Sequence, residues 1–238
     1  MREEIAARLL QINKEFYQRF GPAFAETRRR LQPGVRLAVQ ELPPEASVLD
    51  VGCGSGEVAR ALARRRHRGP YLGLDWSARL LMHAQDGPLP PGAIFEVIDL
   101  SLPGWALQLP GPYDRILAFA VLHHLPGHER RLGFARQASN LLAADGRMVV
   151  SVWNFLASPR LRARLVDWAV VGLRPEEVDA GDYLLDWRHG GHGLRYVHHF
   201  SAEELGSLAK QAGLAVRRQY FSDGESGQLG LYQEWALP

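Results

Sequence analysis

The stretch "VLDVGCGSGE", residues 48–57, runs from a short apolar strand into a turn with glycine at 52, 54 and 56. Its reading decides the fold, because a strand that ends in a glycine-rich turn before a helix is the usual opening of a nucleotide-type site in a parallel sheet. Dinucleotides and S-adenosylmethionine are both held by such turns. A dinucleotide fingerprint places a third glycine where helix packs on strand. Here that position is Glu57. The departure argues against a pyrophosphate and for a ligand with less negative charge. In the alternative form, Gly52, Cys53, Gly54 and Gly56 pass under the amino-acid part of the ligand, where a Cβ would take its space. The spacing predicts a helix over 55–66 with Ser55 as N-cap, whose N–H groups favour an anion such as a carboxylate. Asp50 is expected to receive the ligand's ammonium.

Outward from the turn, short apolar or β-branched runs at 47–51, 70–75, 94–98, 113–120 and 147–153 alternate with helical patterns. That alternation implies a parallel sheet with crossover helices. Ser77 is the expected N-cap of a helix over 77–85. Residues 128–142 place Leu132, Ala135, Ala138 and Leu142 on one core-facing stripe, and "ADGR" is expected to turn the chain into the fifth strand. Near the end, Ser201 and Glu204 read as a capping box, Leu205, Leu208 and Ala212 as a buried stripe, and Gly213 as the stop. The runs 214–221 and 228–236 are too closely joined for a parallel pair and predict an antiparallel hairpin. Five βα units and a terminal hairpin form the chain order of the class I methyltransferase sheet, an α/β fold of seven mostly parallel strands with helices on both faces.

The chain has 238 residues with a net charge of +2, 46% hydrophobic and 23% charged, which suits one elaborated soluble domain. Its expected parts are a helical lid over 1–42, a cofactor-binding core over 43–153, a substrate-side insertion over 154–200 and a terminal helix and hairpin over 201–238. No apolar run is long enough to cross a bilayer, and Glu3 and Glu4 stand where a signal peptide would be basic, so a cytoplasmic location is expected. The single cysteine, Cys53, excludes an intramolecular disulfide and fits the turn as a small side chain. Arginine clusters at 27–30, 64–68 and 158–164 are candidates for phosphate contact. The second of them reads first as the basic end of a helix ahead of Gly69, where the helix dipole favours cations.

Two further segments bear on the ligand. In "YLGLDWS", residues 71–77, Asp75 ends the second strand and can accept from vicinal ribose hydroxyls, with Trp76 against the adenine. In "EVIDLS", residues 96–101, Asp99 can accept from the adenine amino group while Leu100 packs on the ring. Ala120, at the end of the fourth strand, completes the expected cofactor set. Turn and acids together predict S-adenosylmethionine, with S-adenosylhomocysteine as product.

The pieces "LAFAVLHHLPGHERR" at 117–131, "VVSVWNF" at 149–155, "FYQRFGPAFAETR" at 16–28 and "RYVHHFSAEEL" at 195–205 resemble the tRNA wobble-uridine methyltransferases that esterify a 5-carboxymethyl group. "GDYLLDW" at 181–187 is also similar to a family segment, departing from it at Asp186, and Val197 departs where the family tends to tyrosine. The resemblance implies methyl transfer to a carboxylate oxygen, tRNA as acceptor, and a small activating partner subunit. By the same resemblance Arg28, His123, Trp153 and Arg195 surround the acceptor, and Tyr17, Trp187, Tyr196 and His198 contact the nucleoside. A small-molecule O- or N-methyltransferase, a binding protein inactive without its partner, and a nicotinamide-dependent oxidoreductase remain as alternatives. Tyr17, Phe20 and Phe24 also read as a buried stripe, and His124 as a residue that packs or hydrogen-bonds locally. The histidines at 189, 192, 198 and 199 have no cysteine partner and loose spacing, so no metal is expected.

Overall fold

The structure, a computed structural model, describes residues 1–26 and 30–238, with the side chains of 22–26 left aside. Arg28 and the side chain of Phe24 therefore lie outside the described residues.

Two helices come first, α1 (Glu3–Glu26) and α2 (Pro33–Gln40). The core follows as β1 (Val48–Val51), α3 (Glu57–Arg64), β2 (Tyr71–Asp75), α4 (Ala78–Ala84), β3 (Ile94–Val97), β4 (Tyr113–Phe119), α5 (His128–Asn140) and β5 (Leu142–Trp153). Next come α6 (Pro159–Arg162), β6 (Leu165–Val166), β7 (Asp182–Trp187) and β8 (Gly193–His198), and the chain closes with α7 (Ala202–Gln211), β9 (Ala215–Ser222) and β10 (Gly230–Ala236). One seven-stranded sheet runs in the order β3-β2-β1-β4-β5-β10-β9. Strands β1 to β5 are parallel, while β10 is antiparallel to both β5 and β9. This is the class I methyltransferase sheet. The strand order reverses between β1 and β4, and ligands of open α/β sheets bind at that switch point.

Burial explains the two faces. On one, Val150, Val152, Leu231 and Trp235 pack with Leu132, Ala135 and Ala138 of α5 and Leu205, Leu208 and Ala209 of α7. On the other, Leu117, Val149 and Tyr232 meet α2 and α3 through Val35, Val39, Val58 and Leu62. The segment 154–200 forms its own antiparallel sheet, in the order β6-β7-β8. Helix α1 lies along β8, with Ile5 and Leu9 packed on Leu184 and Tyr196. Among the described residues no helix is long and apolar enough to cross a membrane.

Several expected boundaries shift for identifiable reasons. Ser77 does cap α4, accepting from Leu80 N–H at 3.3 Å. Ser55 does not cap α3: the N-cap is Gly56 in the left-handed region, so the helix starts at Glu57 and its N-terminus lies just beyond Ser55. Strand β5 begins at Leu142 and carries "ADGR" as an irregularity, since Tyr113 pairs with Leu142 but Arg115 already pairs with Arg147. Arg66, at φ 57, takes the left-handed position after α3, so the helix ends ahead of Gly69. Only half of the capping box forms, because Ser201 accepts from Glu204 N–H while the Glu204 carboxylate meets His198.

Gly56 has φ +80, and an added Cβ would lie 2.9 Å from the backbone Cα of Ala84 in α4. Gly56→Ala is therefore expected to combine left-handed strain with a clash that backbone cannot relieve, costing about 2–4 kcal/mol. Chemical unfolding of the two proteins, with a matching fall in melting temperature, checks this.

Candidate functional site

A cleft of about 370 Å³ opens at the carboxyl ends of β1, β2, β4 and β5, within the usual range of roughly 300–1,000 Å³ for small-molecule sites. The glycine turn forms its floor. Gly52 has φ +77, and its missing side chain makes room for the Cγ2 of Val121; Gly56 makes room for α4. Only Gly54, at φ +55, would send a Cβ into open space. The expectation that all three clear space for a ligand is thus corrected: two of them serve protein packing, and one opens the cradle.

Asp75 fastens this turn. Its Oδ2 accepts from Gly54 N–H at 3.0 Å and its Oδ1 from Ser77 N–H at 2.9 Å. Burial pushes its carboxyl above the ordinary range, opposed by the backbone N–H groups of Ser77, Gly54 and Trp76. Asp50 sits deeper, accepting from the Tyr71 hydroxyl at 2.7 Å. Burial raises its carboxyl to about 7, against the pull of the Tyr71 bond and with help from the negative Asp75. Asp99 differs. Burial alone would raise it, but bonds from Lys14 Nζ (2.7 Å) and from Ser101 outweigh that and hold it below the usual range. Cys53, Trp76, Leu100 and Ala120 complete this end of the cleft. Ala120 is left-handed at φ 59, and its N–H reaches both the carbonyl and the hydroxyl of Ser151.

The other arm is cationic and aromatic. Arg195 on β8 is 3% exposed, with its guanidinium 5.0 Å from the ring centre of Phe16 and 5.1 Å from those of Trp153 and Trp187. His123 accepts from Trp153 N–H at its Nδ1 (3.2 Å), so in the neutral ring the proton resides on Nε2. His124 packs edge-on against Tyr17 and His123, and its ring also bonds across the fold: Nδ1 lies 3.3 Å from the Tyr196 carbonyl and 3.4 Å from Asn13 Nδ2, and Nε2 lies 2.9 Å from the Tyr17 hydroxyl. Arg195, His123, Trp153 and Tyr17 all line the cleft.

Trp187, Tyr196 and His198 do not line it. For Tyr196 and His198 the reason is the two-residue period of β8, which turns Arg195 and Val197 to one face and Tyr196 and His198 to the other. Tyr196 is fully buried, donating to Asp182 Oδ1 at 2.7 Å. His198 lies between Asp182 Oδ1 (2.7 Å) and Glu204 Oε1 (2.8 Å). Trp187 packs edge-on against Phe16 behind Arg195. These three pack and bond around the arginine's strand. The buried stripe on α1 is Phe16 and Phe20, with Tyr17 turned to the cleft. Sequence reasoning missed Leu10, Asn13 and Lys14, which line the cleft with Tyr17. Their i, i+3, i+4, i+7 spacing was the available signal. Among the described residues no group of three His, Cys, Asp or Glu side chains is arranged to hold a metal.

The protein-family model described as "Methyltransferase domain" matches residues 23–219. The chain belongs to the methyltransferase domain family. Among curated relatives, the ubiquinone biosynthesis O-methyltransferase of Chromobacterium violaceum is 29% identical over 171 residues, 71% of this chain and 65% of that one. The tRNA (carboxymethyluridine(34)-5-O)-methyltransferase of Schizosaccharomyces pombe is 24% identical over 220 residues, 85% of this chain and 88% of that one. The chain spans less than two thirds of the length of the first relatives it matches, falling to 28% for the mouse and bovine proteins named probable tRNA methyltransferase 9B. Two solved structures share the fold. An S-adenosylmethionine-dependent methyltransferase from Methanosarcina mazei has a TM-score of 0.65 at 20% identity, covering 87% of this chain and 99% of that one. A Haloferax volcanii methyltransferase in complex with the Trm112 activator has 0.64 at 17%, covering 95% and 97%.

His198 generates a pH-dependent expectation. Burial would lower its pKa, but the bonds to Asp182 and Glu204 outweigh that and raise it above the ordinary value. A raised folded value means that the stabilisation is complete below about pH 6.5 and is lost as pH climbs through the folded pKa. His198→Ala is expected to cost about 2–3 kcal/mol at pH 6. The gap to wild type should narrow at pH 9, as read from urea unfolding at both values.

Proposed function

We propose that this methyltransferase esterifies a carboxylate, with tRNA carrying 5-carboxymethyluridine as the acceptor and S-adenosylmethionine as the donor. The observation that carries the reading is Arg195, a buried guanidinium set among three rings on the cleft wall beside His123. Arginine presents a planar fork of donors that matches a carboxylate, and it tolerates burial better than lysine. When bound, S-adenosylmethionine supplies a methyl group on a positively charged sulfur, an electrophile open to displacement by an oxygen anion. Asp50 and Asp75 suit its ammonium and ribose, Asp99 and Leu100 its adenine, and the open space at Gly54 fits its amino-acid part.

A carboxylate is ionised at neutral pH, so the site has no proton to remove from the acceptor. Arg195 orients the acceptor oxygens, Nε2–H of His123 adds a donor, and the aromatic wall keeps water from the reacting oxygen. Holding the reacting groups in line is worth roughly 7–11 kcal/mol of barrier. Arg160, Arg162 and Arg188, exposed on the segment after Trp153, give phosphates a partner outside the cleft. The S. pombe relative's name supports the RNA acceptor, and the Haloferax complex supports an activating subunit. A small-molecule O-methyltransferase is the second reading, favoured by the higher identity to the C. violaceum O-methyltransferase.

Arg195→Met is expected to lower kcat/KM for a carboxylate acceptor by about 100-fold or more while S-adenosylhomocysteine affinity stays within threefold. Equal kcat/KM would remove Arg195 from its role. Asp50 adds a second expectation. Because its carboxyl titrates at about 7, a cationic ligand that needs it ionised should bind about tenfold more weakly at pH 6 than at pH 8, with a proton released on binding. Calorimetry in buffers of different ionisation enthalpy measures both, and Asp50→Asn should flatten the profile.

A further inference from the structure

Opposite the cationic arm, the cleft is walled by a group of side chains that the acceptor chemistry above does not use. Phe119, Ser151 and Tyr232 stand in register across β4, β5 and β10, and Asp223 at the start of the β9–β10 turn lies beside them. Asp223 is 7% exposed. It accepts from Gly34 N–H at 2.9 Å and from the Tyr232 hydroxyl at 2.6 Å. Ionised carboxylates have about four acceptor positions, so these two bonds leave capacity facing the cleft. Among the described residues no lysine, arginine or histidine forms an ion pair with Asp223.

The surroundings are costly to build. Asp223 is left-handed at φ 72, a conformation that disfavours a residue with a side chain. Gly34 leaves room for the Tyr232 ring, and a Cβ on Gly230 would fall 2.6 Å from Asp223 Oδ2. Tyr220 stacks on Tyr232 at 5.0 Å and 6°, and donates to the Gly34 carbonyl at 3.2 Å. A nearly buried carboxylate on a left-handed backbone, held by two hydrogen bonds on a cleft wall, is an arrangement found where a ligand repays its cost.

We propose that Asp223, held by Tyr232 and Gly34, is a recognition subsite for an ammonium or N–H donor on a molecule bound in the cleft. Tyr232 spends its proton on Asp223, so both groups offer the ligand only lone pairs. The cleft is thereby polarised: Arg195 can only donate, and Asp223 can only accept. The two arms are close, since Gly230 pairs directly with Trp153, the residue stacked on Arg195. The matching chemistry is a molecule with an anionic carboxylate at one end and a nitrogen-bound proton at the other. Two sources provide that proton, the α-ammonium of the methyl donor and an N–H on the acceptor. The inference rests on the methyltransferase reading above.

Asp223→Asn and Tyr232→Phe in the full chain test it with paired probes. Calorimetry compares S-adenosylhomocysteine with its desamino analogue. Initial rates at saturating donor compare 5-carboxymethyluridine with its N3-methyl derivative. Asp223→Asn keeps an oxygen for Gly34 and is expected to weaken one N–H-bearing probe at least tenfold without affecting its partner. Tyr232→Phe, which removes one brace, should lose about threefold in the same arm. Loss in calorimetry assigns the donor's ammonium, and loss in the rates assigns the acceptor. Equal loss for both members of each pair, or no loss in either arm, overturns the subsite. A wild-type chain that binds S-adenosylhomocysteine but, alone and with a candidate activator, forms no methyl ester on either nucleoside, on tRNA or on a pool of small acids refutes the carboxylate acceptor. The calorimetric arm then decides the subsite by itself, with the same overturning results.

Discussion

The cleft depends on one carboxylate shared between two strand ends. Asp75 closes β2, yet its oxygens reach the amide of Gly54 in the turn after β1 and the amide of Ser77 ahead of α4. Those bonds fix a turn whose three glycines are all left-handed, a conformation with little steric preference to keep it in place. They also tie the turn to α4, on which Gly56 packs without a side chain between. Taking a carboxylate out of water is costly, and the upward shift of Asp75 registers that cost. The return is a rigid floor, and a rigid floor is what lets neighbouring groups act by position.

The second arm is built on the same principle with opposite charge. Arg195 reaches the cleft because β8 lies under α1, and α1 carries Phe16 to one side of the guanidinium while Trp187 and Trp153 close the others. The flat faces of these rings attract a cation and exclude water, so charge contacts there gain strength from the low dielectric. Asn13 fixes the register of helix and strand, accepting from Tyr196 N–H at 2.9 Å and donating to its carbonyl at 3.1 Å. Buried behind, Asp182 ties Tyr196 to His198, and Glu204 of α7 completes the chain of bonds. The N-terminal helix, the small sheet and the terminal helix are therefore tied together by buried side-chain bonds.

Most of the sheet was legible because strand and helix periods are local. The hairpin, the Ser77 cap and the acids at 75 and 99 follow from a few adjacent residues. What escaped was set by distance along the chain. Lys14 meets Asp99 across 85 positions, and Gly34 meets Asp223 across 189. In "SDGESG" an aspartate reads as an ordinary turn former, with nothing nearby to mark it as a wall of the cleft. The grouping of Arg195 with Tyr196 and His198 failed for another reason. Motif likeness ignored the alternation of a strand, which the six residues of β8 already carried. Arg28, expected in the same group, lies outside the described residues.

The central claim is that the cleft directs a methyl group to a carboxylate oxygen, and the bond formed tests it most directly. The chain, alone and with a candidate activator, would be given methyl-labelled S-adenosylmethionine with bulk tRNA or a pool of small acids, and the product then held in mild alkali. A methyl ester hydrolyses there, so the account predicts that the label leaves as volatile methanol. Label that survives alkali on the acceptor would reveal an ether or N-methyl bond and contradict the account.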